Sequence, residues 1–124
     1  MFSANWIASG ARWFDRAEHA KLAREFLFHD CEPDAVSSAL ATVELFDTRH
    51  LTREPNPVVV WPNVRCASIV CSEDRTINPE WSRMVAVKRL GVDPIEIEAG
   101  HCPHTSRPDD TAMILHQLSG RGHR

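Results

Sequence analysis

Residues 69–118 read IVCSEDRTINPEWSRMVAVKRLGVDPIEIEAGHCPHTSRPDDTAMILHQL, and this stretch decides the fold. It opens on the end of CASIVC (Cys66–Cys71), an unbroken run of small and apolar residues such as a strand covered on both faces carries. Polar SEDRTIN follows, and Asn78-Pro79-Glu80 then supplies a helix N-cap, a proline at the first helical position and a first-turn acid. Trp81, Met84, Val85 and Lys88 continue that helix, and Gly91 ends it. PIEIEAG alternates apolar and polar residues, the period of a strand. The loop GHCPHTSR leads to Pro108-Asp109-Asp110, a second helix start with acids at the positive end of the dipole. Met113, Ile114 and Leu118 provide that helix with an apolar face, and Ser119-Gly120 close it. Two strands joined by a helix should be parallel, with a right-handed crossover. Parallel sheets normally hold more than two strands, and only two convincing ones occur here, so the sheet is expected to be incomplete.

Upstream the pattern is helical. From about Ala11 to Phe28, Phe14, Ala17, Leu22 and Phe26 fall near one face, with Asp15, Arg16, Glu18, Lys21 and Arg24 elsewhere. HDCEPDA breaks the helix, and Pro33 is placed to start a second one with Val36, Leu40 and Val43 on one face, fading near Phe46. Residues 47–64 contain Pro55, Pro57 and Pro62 and read as a surface connector, in which VVVW offers only a weak edge strand. The chain therefore divides into helices over 1–46, a connector over 47–64, a β-α-β-α unit over 65–118 and a tail over 119–124.

Bulk properties exclude several classes of function. A chain of 124 residues with 43% hydrophobic and 25% charged residues fits one soluble globular domain. A formal charge of -3, without a basic stripe, argues against nucleic acid or anionic lipid as partner. No apolar run approaches the roughly 20 residues of a membrane span. The start, MFSANWIASGARWF, lacks the build of an export signal, so reduced cysteines and a cytoplasmic location are expected.

Ligands of open parallel sheets bind beyond the carboxyl ends of the strands. Glu73-Asp74 lies just past the first strand and His101 just past the second, on the same edge. A carboxylate accepting from one ring nitrogen fixes the tautomer of an imidazole and leaves the other nitrogen free to take a proton. Asp74 can alternatively cap the helix that follows, and Glu73 reads as its solvated neighbour. Cys66, Cys71, His101, Cys102 and His104 have the right chemistry for zinc. Five residues apart in one strand, however, Cys66 and Cys71 point to opposite faces, and no C-x-x-C is present. His29-Asp30-Cys31 reads as a helix-end turn, because adjacent residues rarely meet as nucleophile and base. Trp6, Trp13, Trp61 and Trp81 read as packing residues, although Trp13 and Phe14 could line an acyl pocket.

Residues 69–118 resemble the C-terminal segment of the α/β-hydrolase superfamily, nearest the small-esterase branch that includes plant methyl esterases and hydroxynitrile lyases. In that branch the triad acid lies in an acidic pair after the penultimate strand, with a proline a few residues on. Asp74, with Pro79 following, matches. The triad histidine precedes a short loop ending in Ser-[Arg/Lys]-Pro, which Gly100-His101 and Ser106-Arg107-Pro108 match. REFLFHDCEPDAVSSAL looks like the cap segment of bacterial members, so the resemblance extends over 24–118 and is strongest over 65–118. His104 departs from the family's apolar residue there. The larger departure is the missing nucleophile elbow, G-x-S-x-G: no serine of this sequence has glycines two residues away on both sides.

The expected fold class is therefore α/β: a helical cap segment followed by the last β-α-β-α unit of an α/β-hydrolase-type parallel sheet. The resemblance implies a hydrolase of small carboxylic esters in which Asp74 orients His101 and His101 is general base, then general acid. It implies no cofactor. With no nucleophile in these residues, the chain is expected to be a truncated form that is inactive alone and needs a complementing N-terminal half. The alternative is a non-catalytic small-molecule-binding or protein-interaction module, which dimerises through its sheet edge.

Overall fold

The structure, a computed structural model, describes residues 16–42, 55, 60 and 63–120. Helix α1 (Arg16–Leu22) widens into a π-type turn over Ala23–Leu27, where the Phe28 N–H reaches five residues back to the Ala23 carbonyl at 2.9 Å. Leu22, Ala23, Phe26 and Phe28 are buried. The start of the expected helix, with Trp13 and Phe14, lies outside the described residues, as do Trp6 and Trp61.

Pro33 opens α2 (Pro33–Thr42), as its fixed φ favours. Val36 is buried and joins Ala23 and Phe28 in a small core that Leu27, Ala39, Leu40 and Cys102 complete. The described helix stops at Thr42, and the expected run through Val43 to Phe46 lies outside the described residues. So does most of the connector. Val60, the one described residue of VVVW, sits at an exposed bend.

The two expected strands form and pair in parallel: β1 (Ile69–Cys71) with β2 (Ile95–Ile97), in the register Ile69 to Ile95 and Cys71 to Ile97. β1 is shorter than CASIVC suggested. The Ile95 N–H donates to the Ser68 carbonyl at 2.8 Å, whereas the Val92 N–H still turns back to the Ala86 carbonyl at the helix end, so pairing begins only at Ile95. At the other end pairing carries on beyond the strands, from the Ser72 N–H to the Ile97 carbonyl and from the Glu73 N–H to the Ala99 carbonyl. Val70 is almost fully buried, as are Ile97 and Ala99.

Between the strands, α3 (Pro79–Val85) is capped as the sequence indicated, with the Asn78 side chain accepting the Glu80 N–H. It runs into a second π-type turn over Ala86–Leu90 and stops at Gly91, whose φ of 67° is left-handed. The helix packs on β1, and Arg83 forks onto Glu96 of β2 at 2.7 and 2.9 Å. Met84 faces solvent. The supposed loop before the last helix contains a short helix of its own, α4 (Pro103–Ser106), with Pro103 in its first turn. In α5 (Pro108–Gly120) no residue is buried: Ile114 and Leu118 are half-buried, and Met113, expected on the apolar face, is exposed. Among the described residues no helix is long and apolar enough to cross a membrane.

Candidate active site

The carboxyl ends of β1 and β2 bring Asp74 and His101 together. His101 Nδ1 lies 2.9 Å from Asp74 Oδ2. The Asp74 side chain is 12% exposed and that of His101 31%, so the acid sits inside and the imidazole reaches toward solvent. Nδ1 donating to the carboxylate is the tautomer that leaves Nε2 free to accept a proton.

The other Asp74 oxygen holds the acid in place. Oδ1 accepts the Thr76 N–H at 2.7 Å and the Ile77 N–H at 2.9 Å. The Asp therefore caps a turn, while Asn78 caps the helix. Burial raises the Asp74 pKa, but the His101 ring and the Ile77 and Thr76 N–H groups outweigh burial and hold it below its ordinary value. Thr76, buried, passes the constraint on: its hydroxyl donates to the Phe26 carbonyl of the α1 turn at 3.1 Å.

The helix-end triplet His29-Asp30-Cys31 lies against the same edge. Asp30 Oδ2 accepts the Gly100 N–H at 2.7 Å, and His29 Nε2 donates to the Glu73 carbonyl at 3.0 Å. Burial raises the pKa of Asp30, and the Gly100 N–H and Ser106 hydroxyl more than offset it, leaving the carboxyl below its usual range. Gly100 is required here by space. A Cβ on it would collide with the Asp30 carboxylate and lie 2.8 Å from His29 Nε2. Sequence spacing gives no sign of these ties, since their partners lie 44 and 70 residues away. Nor did it single out Thr76, one more polar residue in a polar loop.

Glu73 stays exposed and contributes its backbone only. The thiols nearby are poor nucleophiles. Burial and the Asp74 and Asp30 carboxylates push Cys71 up to about 11, burial with the neighbouring Cys31 and Asp30 does the same for Cys102, and burial with Asp30 raises Cys31. Cys66 lies at the far end of the strand region from His101 and Cys102, and among the described residues no group of three His, Cys, Asp or Glu is arranged to hold a metal ion. His104 is exposed on α4. A groove of about 520 Å³ lies at the opposite end of the strands, lined by Arg65, Cys66, Val92, Asp93, Ile95 and Leu118 among others.

Two adjacent parallel strands, with an acid past the end of the first and a histidine past the end of the second, agree with the order that the resemblance to α/β hydrolases implies. A model of the alpha/beta hydrolase family matches residues 1–114, and the chain belongs to that family. Searches among curated proteins and solved structures gave no significant match.

Proposed function

We propose that this chain carries the acid and base of a carboxylic ester hydrolase, with Asp74 as orienting acid and His101 as general base and then general acid. The 2.9 Å contact between His101 Nδ1 and Asp74 Oδ2 at the carboxyl end of adjacent strands carries the reading. In this role Nε2 takes the proton of an attacking hydroxyl, Asp74 stabilises the imidazolium so formed, and the proton then passes to the leaving alcohol. The hydroxyl comes from a serine outside these 124 residues, because no G-x-S-x-G occurs within them.

Joining the chain to a segment that carries the earlier strands and G-x-S-x-G elbow of a family member tests this. Such a chimera should hydrolyse activated short-chain esters and lose turnover with His101→Ala, whereas the folded chain alone should show none. A folded chimera that hydrolyses no ester sinks the reading. Turnover by the chain alone, lost in His101→Ala, would place the nucleophile among these residues.

A second reading rests on the sheet. Two strands of three residues are a small platform. A second copy paired along β1 would enlarge it, making the chain a dimeric binding or interaction module.

A further inference from the structure

We infer that His29 and Asp30 are positioning residues, which clasp the two strand-end loops so that Asp74 faces His101. This rests on the acid–base reading of that pair and adds the part of the chain that holds it. If His29-Asp30-Cys31 served only to end a helix, its polar side chains would bond locally. Both reach instead across the fold, and each takes a backbone group next to a member of the pair. His29 Nε2 binds the carbonyl of Glu73, the residue before Asp74, and Asp30 Oδ2 takes the N–H of Gly100, the residue before His101.

The clasp has two arms on one rigid stub. Phe28, directly before it, is buried in the small core, and the Cys31 N–H closes the turn on the Phe28 carbonyl. A third tie from the same stub, Phe26 to Thr76, fixes the turn whose N–H groups hold Asp74 Oδ1. Asp30 is the stronger arm, since a carboxylate accepting an N–H makes a shorter and stronger bond than a neutral acceptor. Gly100 lets the carboxylate in, because any side chain there would occupy its place. The acid–base contact depends on two loops from two strands, and a shift of one loop by about 1 Å would open it. The Glu73 N–H to Ala99 carbonyl bond joins the two loops to each other, and the clasp fixes both of them against the end of α1.

The test is long-range proton–nitrogen NMR of His101 in the ¹⁵N-labelled full chain, with Asp74→Asn as reference. The wild type should show an Nδ1–H tautomer with a downfield, exchange-protected proton, altered in Asp74→Asn. Asp30→Ala should lose that proton signal and shift the ring toward the Nε2–H form of a free imidazole. Asp30→Asn, which keeps an oxygen for the Gly100 N–H, should restore it. Should Asp30→Ala fail to fold, His29→Ala against His29→Gln decides on the same signal, because glutamine keeps a donor for the Glu73 carbonyl. An Asp30→Ala chain that melts earlier yet keeps the wild-type His101 signature overturns the proposal and leaves a structural brace. A wild type without the Nδ1–H signature, unmoved by Asp74→Asn, overturns the acid–base reading and the clasp with it.

Discussion

At Asp74 one carboxylate holds two groups, one on each oxygen: two backbone N–H groups on Oδ1 and the imidazole on Oδ2. Asparagine in its place keeps an oxygen for the turn but sets an NH2 donor where Oδ2 accepts from the imidazole, so Asp74→Asn removes the charge and its bond to His101 together. A carboxyl whose folded pKa is lowered contributes stability that is fully present above the unfolded value, about 3.9, and is lost as pH falls through the folded one. Asp74 is such a group. The thermal midpoint of Asp74→Asn should therefore lie below that of the wild type at pH 7, and the gap should close as acidification passes through the lowered folded pKa of Asp74. A gap that stays constant with pH would show that the ionised carboxylate and its bond to His101 contribute nothing. Gly100 makes the complementary case, where shape alone decides. Gly100→Ala places a methyl against Asp30 and His29 and should cost about 1–3 kcal/mol in urea unfolding, the usual cost of overpacking. The sequence singled out Asp74 and His101 because each follows a strand, but it left open whether Asp74 caps the next helix. Asn78 settles that by capping the helix itself.

Among the elements, what was legible depended on how local the deciding physics is. The Asn78-Pro79 start of α3, its stop at Gly91 and the Pro33 start of α2 are set within a turn by capping, a fixed φ and a left-handed residue, and all three form. The length of β1 was not legible in CASIVC, because it depends on where the partner strand comes alongside, and pairing begins only at Ile95. Nor was α4, whose single turn carries little periodicity. The clasp was hidden for the same reason in stronger form, since its bonds join positions 44 and 70 residues apart. Two substitutions probe elements. Gly91→Ala forces a Cβ into a left-handed position and should lower stability by about 1–2 kcal/mol, whereas Gly91→Asn should cost less. Thr76→Val deletes the buried tie between the α1 turn and the acid's loop and leaves the Phe26 carbonyl without that donor. About 1–3 kcal/mol should be lost, measured as a fall in the urea midpoint at unchanged slope. A changed slope would instead report that α1 has come away from the strands.

At the scale of the whole molecule, the question is what meets the second edge of β1. Backbone groups alternate sides along a strand. Ser68 and Ser72 direct theirs at β2, through the Ile95 N–H and the Ile97 carbonyl, and Val70 between them shares that side. Ile69 therefore turns its N–H and carbonyl to the opposite edge. Proline at 69 removes an N–H that the β1–β2 ladder does not use, while proline at 70 removes one on the β2 side. The pair of variants separates an added strand from the ladder already present. If a second copy supplies that strand, the wild type should sediment as a dimer at tens of micromolar, and Ile69→Pro should be a monomer with the same far-ultraviolet circular dichroism. Val70→Pro should lose ordered structure at any concentration, because it breaks the pairing that holds Asp74 and His101 on one edge. A wild type that stays monomeric throughout would overturn pairing between copies along β1 and leave that edge to solvent, to the chain itself or to a different polypeptide. On the proposed acid–base role of His101, a polypeptide found there should carry the serine, and a chain complemented by it should hydrolyse activated esters.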